Sequence, residues 1–121
     1  MVGAVARFFR KTPTEPKWVE VAGLRDALAG AAPPLVLDVR GPDEFDGPLG
    51  HIAGAVNVPL PELEARHGEV AGAGRAAGRA IVCVCLTDKR SAVAAAQLAA
   101  AGVDEVSVLR GGMQAWREAG L

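Results

Sequence analysis

Ala80-Ile81-Val82-Cys83-Val84-Cys85 runs straight into Leu86-Thr87-Asp88-Lys89-Arg90, and Ser91 then opens the alanine-rich stretch that ends at Ala101. The first segment reads as a buried strand, the second as a short polar loop and the third as a helix from Ser91 to Ala101, with Gly102 just past its end. A cysteine at the carboxyl end of a strand, ahead of a helix N-terminus, meets free backbone N–H groups and the positive end of the helix dipole. Lys89 and Arg90 add full positive charges beside it. These features favour a thiolate, so Cys85 marks a site for a nucleophilic sulfur or a bound oxyanion. Cys83, inside the apolar run, is expected only to pack.

Working outward, Leu35-Val36-Leu37-Asp38-Val39 is apolar almost throughout, as expected for a central parallel strand covered on both faces. Trp18 to Val21 reads as a short strand. Leu24 and Leu28 then share one helical face, and Gly30 with Pro33-Pro34 ends that helix. Gly41 to Ala55 is a long loop in which Asp43 to Phe45 makes one helical turn. Ala55 to Val58 is a short strand stopped by Pro59. Leu60 to Arg66 suits a short helix with Pro61 in its first turn, and Gly68 to Arg79 is expected to be small and flexible. Val106 to Leu109 is the last strand, Gly111-Gly112 a turn, and Met113 to Ala119 a closing helix whose Met113 and Trp116 face the sheet. Alternation of strand and helix predicts an α/β layer structure on a parallel sheet. Ligands of such sheets bind beyond the carboxyl ends of the strands, where Asp38-Val39-Arg40, Asn57-Val58-Pro59 and the Cys85 loop converge.

The 121 residues fit one domain able to bury its own core. A net charge of −1 gives no general attraction to nucleic acid or to an anionic membrane, and 4% aromatic residues with no tyrosine make stacking on single strands unpromising. Two cysteines two positions apart on a strand do not suit a disulfide, and with only two histidines, His51 and His67, they form no zinc pattern. A reducing, cytoplasmic compartment is the expectation. Residues 1–17 read as a flanking segment. Its apolar run is too short, and too soon broken by Arg7, for a secretory signal or a membrane span, although Phe8 and Phe9 could dock on a surface. Residues 18–121 form the domain.

Successive N–H groups curling around Cys85 would make an anion-binding nest. A thiolate there can attack a sulfane sulfur, and the resulting persulfide would carry its negative terminal sulfur in the same cradle. Arg90 offers a planar fork to an anionic substrate and Lys89 a less directional charge.

The loop Cys85-Leu-Thr-Asp-Lys-Arg90-Ser91 resembles the active-site loop of rhodanese-type sulfurtransferases. Leu37-Asp-Val-Arg-Gly-Pro-Asp-Glu-Phe45 with Gly50-His-Ile-Ala-Gly-Ala-Val-Asn57 resembles that family's N-terminal signature, and Val108-Leu-Arg-Gly-Gly-Met-Gln-Ala-Trp116 its C-terminal one. The resemblance implies a three-layer α/β domain with a central, mostly parallel five-stranded sheet flanked by helices. It also implies transfer of sulfane sulfur, without a cofactor or metal, from a small donor such as thiosulfate or a persulfide to a thiophilic acceptor: cyanide, a thiol or a partner protein's cysteine. By position, Cys85 is then the nucleophile, and Leu86, Thr87, Asp88, Lys89, Arg90 and Ser91 bind the substrate. Asp38 and Arg40 support the loop, Asp38 as partner of a loop cation, while Arg40 and Glu44 could pair with each other. His51 is expected to order the Gly50–Gly54 turn. Asp88 departs from the glycine common at its position and offsets one loop cation, which counts against thiosulfate as donor. The alternatives are a sulfur-relay or protein-binding module with little small-molecule activity and, at greater distance, a cysteine-based phosphatase or arsenate reductase. Phosphatases of this fold have a loop one residue longer.

Overall fold

Leu35, Leu37 and Val39 point to one side of their strand and Val36 to the other, and this period of two organises the molecule. A computed structural model describes residues 16–121, without the side chains of residues 75–77. Phe8, Phe9 and the rest of the segment before Pro16 lie outside the described residues. The strands are β1 (Trp18–Val19), β2 (Leu35–Asp38), β3 (Val56–Asn57), β4 (Ile81–Val84) and β5 (Val106–Leu109). They form one five-stranded sheet in the order β1-β5-β4-β2-β3, and every pairing is parallel. The helices are α1 (Val21–Leu28), α2 (Pro42–Phe45), α3 (Leu60–Ala77), α4 (Lys89–Ala100) and α5 (Gly112–Glu118).

Two buried clusters sandwich the sheet. On one face Leu35, Leu37, Ile81, Cys83 and Val108 meet Leu63 and Val70 of α3 and Ala94 and Leu98 of α4. On the other, Val36, Val82, Val84 and Leu109 meet Leu24 of α1 and Met113 and Trp116 of α5. This is why β2 and β4 are buried at every position. The expected roles of Met113 and Trp116 as sheet-facing core are borne out, and Leu24 joins them, each such burial contributing ~1.5–3 kcal/mol.

Several boundaries shift from expectation, and three of the differences bear on the packing. Val21 opens α1 rather than closing β1, because Glu20 is the last extended residue. The stretch after Arg66 is helical: α3 continues to Ala77 through Gly68, Gly72 and Gly74. Tertiary packing overrides the low helix propensity of those glycines, since Leu63, Val70, Ala71 and Gly74 recur at helical spacing and are buried. At Gly74 an added Cβ would stand 3.1 Å from Ile81 Cδ1, so glycine allows α3 to lie close against β4. The helix closes with the Arg79 N–H donating to the Gly74 carbonyl at 2.8 Å, the bond expected when a glycine, here Gly78 at φ +64°, follows the last turn. Finally, α4 starts at Lys89, two residues before Ser91.

Candidate functional site

The first turn of a helix leaves N–H groups without intrahelical partners, and a side chain at the residue before the helix normally accepts one of them. In α4 that residue is Asp88, and its side chain makes no such bond. The Ser91 N–H donates instead to Cys85 Sγ at 3.4 Å, and the Ser91 hydroxyl lies 3.3 Å from the same sulfur. The sulfur thus takes the capping role, held between an amide and a hydroxyl of one fully buried serine. Cys85 itself is only 1% exposed, so a reagent must present a small atom end-on to reach it. The early start of α4 is what brings Ser91, rather than the loop amides of Leu86 to Arg90, into direct contact with the sulfur.

A second helix holds the loop from behind. The Met113 N–H donates to the Cys85 carbonyl at 2.9 Å and the Gln114 N–H to the Leu86 carbonyl at 3.0 Å, using the free amides of α5. Gly112 sits beneath them at φ +57°, where an added Cβ would fall 2.3 Å from the Cys85 and Thr87 carbonyl oxygens and 2.7 Å from that of Leu86. Because a trans peptide sets C=O and the next N–H in opposite directions, drawing these carbonyls toward Gly112 turns the amides of Leu86, Thr87 and Asp88 away from it. The sequence marked Gly111-Gly112 only as a turn; the signal for its larger role is the absence of any side chain at the loop's contact with α5.

The charged residues pair differently from expectation. Asp38 takes Arg40 rather than a loop cation: Arg40 Nε donates to Oδ1 at 3.0 Å and Nη2 to Oδ2 at 2.8 Å, with both side chains about fully buried. Arg40 also donates to the carbonyls of Glu44 and Gly50, so it braces the loop from Gly41 to Gly50. Asn57 Nδ2 ties the same edge by donating to the Asp38 and Arg40 carbonyls. Glu44 therefore does not pair with Arg40. It receives the fork of Arg90, Nη1 at 2.7 Å and Nη2 at 3.0 Å, from 46 positions along the chain. Its Oε1 also accepts the Gly41 N–H at 3.2 Å. These bonds, the Arg90 pair foremost, hold the Glu44 carboxyl at a pKa of about 2, and the same pair raises that of Arg90. His51, expected to order the Gly50–Gly54 turn, makes its contacts outside it, with Nδ1 2.9 Å from the Phe45 carbonyl and its ring stacked on Phe45.

Leu86, Thr87 and Lys89 are exposed around the buried sulfur and Asp88 is half-buried at φ −151°, outside the left-handed region that favours glycine. Cys83 is fully buried, and burial, with the neighbouring Cys85, pushes its pKa up to about 12. A cavity of about 460 Å³ opens at the opposite end of β4, lined by Arg79, Ile81 and Glu105 among others. It holds no nucleophile, and Arg79 is engaged there with the carbonyls of Pro33 and Pro34. The chemistry is concentrated at the carboxyl end of the sheet. Among the described residues no three His, Cys, Asp or Glu side chains cluster to hold a metal, and no helix is long and apolar enough to cross a membrane.

Residues 20–119 match the family described as the rhodanese-like domain. The chain is 36% identical over 88 residues to the protein YqhL of Bacillus subtilis, covering 73% of this chain and 64% of that one. It spans between about half and two thirds of the length of the curated relatives it matches. A rhodanese-related protein from Thermoplasma volcanium superposes with a TM-score of 0.72 at 28% identity, covering 86% of this chain and 93% of that one. A thiosulfate sulfurtransferase from Pseudomonas aeruginosa does so with a TM-score of 0.72 at 29% identity, over 87% of this chain and 19% of that one.

Proposed function

The chain belongs to the rhodanese-like family, and we propose that it is a sulfurtransferase carrying sulfane sulfur as a persulfide on Cys85. The observation that carries this reading is the buried Cys85 sulfur, capping α4 through Ser91 while α5 holds its loop by the carbonyls. A sulfur so placed is aligned with the positive end of a helix and has donors ready for an anionic atom. In the first half-reaction the Cys85 thiolate attacks the outer sulfur of the donor. With thiosulfate, a bond forms between the two sulfurs, the S–S bond of the donor breaks, and its electron pair leaves with sulfite. In the second, an acceptor such as cyanide takes the terminal sulfur, and the thiolate leaves with the bonding pair. Charge balances in each step, and no external oxidant is consumed.

Tight enclosure of Cys85 suits this chemistry, because only one sulfur atom has to enter. Its two free cysteines suit a reducing compartment such as the cytoplasm. The Leu86–Ser91 residues are the proposed substrate-binding loop, with Asp38 and Arg40 supporting it through the Gly41–Gly50 segment.

Intact-protein mass spectrometry tests the reading. After exposure to thiosulfate or to a low-molecular-weight persulfide, the protein should be heavier by one sulfur, and cyanide should remove it as thiocyanate. Cys85→Ser should abolish the adduct and Cys83→Ser should leave it. An adduct that survives Cys85→Ser, or none with any donor, overturns the proposal.

A further inference from the structure

We infer that Glu44 selects the donor: by occupying the Arg90 fork it disfavours doubly charged oxyanions and favours persulfides bearing at most one charge. This rests on the sulfur-transfer reading above and names the substrate class for the same site.

The charges on the loop and its supports decide the matter. The carboxylates Asp38, Glu44 and Asp88 equal in number the cations Arg40, Lys89 and Arg90, so the loop and its supports offer a dianion no net attraction. Arg40 is already spent on Asp38 and two carbonyls. Arg90 stands in the first turn of α4, whose third residue touches the sulfur, and is near enough for a Cys85 thiolate to favour its charged form. Left free, its fork would be the natural holder of the sulfonate end of thiosulfate. Glu44 holds it through two charge-assisted bonds and is itself fixed by the Gly41 N–H. The carboxyl stays ionised at any physiological pH, so protonation does not open the latch. Lys89 remains, with Asp88 next to it in sequence. The donors that touch the sulfur, the Ser91 N–H and hydroxyl, are unaffected by any of this.

A donor without charge beyond its reacting sulfur needs only Ser91 and the loop. The Cys85 thiolate attacks the outer sulfur of R–S–SH, the new S–S bond forms, the old one breaks, and the electron pair departs on R–S⁻. The proton on the new Cys85 persulfide is then lost to solvent. Thiosulfate must in addition displace Glu44. The Arg90 and Glu44 side chains are 39% and 38% exposed, so displacement is possible at a cost, and the selection is one of degree.

Glu44→Gln tests the latch, since the amide oxygen can still accept from Gly41 while the charge is gone. Loading of Cys85 is followed by mass spectrometry with thiosulfate and with the persulfide of N-acetylcysteine methyl ester. In parallel, sulfate is used to protect Cys85 from the uncharged alkylating agent iodoacetamide. Removing one charge ~5 Å from a bound anion in partly screened surroundings should speed thiosulfate loading about tenfold and lower the protecting sulfate concentration about tenfold. The ester persulfide should change less than about twofold on the same reasoning. Glu44→Gln combined with Arg90→Gln should lose the gain, which general loosening of the loop would not do. Equal gains for both donors, or sulfate protection unchanged by Glu44→Gln, overturn the latch even if sulfur transfer is observed. If neither donor loads any variant but sulfate protection still shifts, the latch stands as an anion gate and the sulfur-transfer reading falls.

Discussion

Replacing Gly112 by alanine places a Cβ 2.3 Å from two loop carbonyl oxygens and 2.7 Å from a third, where carbon and oxygen do not come within 3.0 Å. The loop or α5 must retreat by at least the difference, 0.7 Å, and the obstruction is backbone, which cannot rotate aside as a side chain can. Two costs combine. A residue other than glycine in the left-handed region costs ~1–2 kcal/mol, and forcing atoms into a filled contact costs ~1–3 kcal/mol. Gly112→Ala should therefore destabilise the protein by ~2–5 kcal/mol, weakening of the Met113–Cys85 and Gln114–Leu86 hydrogen bonds being part of that sum. Gly54→Ala is the internal control. Its φ is +84° and nothing lies within 4 Å of the added carbon, so it bears the conformational cost alone. Urea unfolding of both variants measures the difference, expected to be ~1–3 kcal/mol. Sulfur loading of Cys85 should fall about ten- to a hundredfold in Gly112→Ala, as expected for a nucleophile displaced by nearly an ångström, and stay close to the parent value in Gly54→Ala. If the two variants unfold within about 0.5 kcal/mol of each other, the packing of the loop carbonyls on Gly112 is not what holds the site.

Asp38→Asn leaves the buried Arg40 guanidinium without its counter-charge and should cost ~3–5 kcal/mol in urea unfolding, against a small, salt-sensitive change for Glu62→Gln, whose Arg66 pair is exposed; similar values for both would refute the brace assigned to Asp38. Ser91→Ala keeps the amide bond to the sulfur and removes the hydroxyl, so single-turnover sulfur loading should slow about fivefold, equivalent to ~1 kcal/mol; an unchanged rate would leave the hydroxyl without a part in the reaction. The Glu44 carboxyl has its pKa lowered from 4.5 to about 2 in the folded state, foremost by Arg90. Its contribution to stability is therefore complete above pH 4.5 and lost as pH falls from there toward 2. The stability gap between the parent and Glu44→Gln should close across that window and be small and salt-sensitive above it, because both partners are partly exposed; a gap that widens on acidification would contradict the pairing.

Much of the fold was legible because it is written in local patterns. The apolar runs Leu35 to Val39, interrupted only by Asp38, and Ile81 to Cys85 announce strands buried on both faces, and the polar break at Leu86 to Ser91 announces the loop and the helix behind it. The second half of α3 was missed because glycine and alanine carry little hydrophobic signal, although Leu63, Val70, Ala71 and Gly74 keep the helical period. At the site, the position of Cys85 at the end of β4 followed from strand and loop alone, whereas its burial, as deep as that of Cys83, did not.

What no local pattern contains is the choice of partner. Asp38, Arg40, Glu44, Lys89 and Arg90 admit several pairings on charge alone. The order β4-β2-β3 and the register that sets Asp38 beside Val84 and Asn57 determine which of them meet. The seating of α5 under the loop likewise depends on a helix 27 positions beyond Cys85 presenting a bare glycine to three carbonyls. Sequence by itself determined the elements and the place of Cys85 at the carboxyl end of β4, since hydrophobic period and chain-terminating polar residues act over a few neighbours. Tertiary structure decided how the Cys85 sulfur is held and which carboxylate each cation meets, because hydrogen bonds and ion pairs depend on distances that only the packed sheet and helices define.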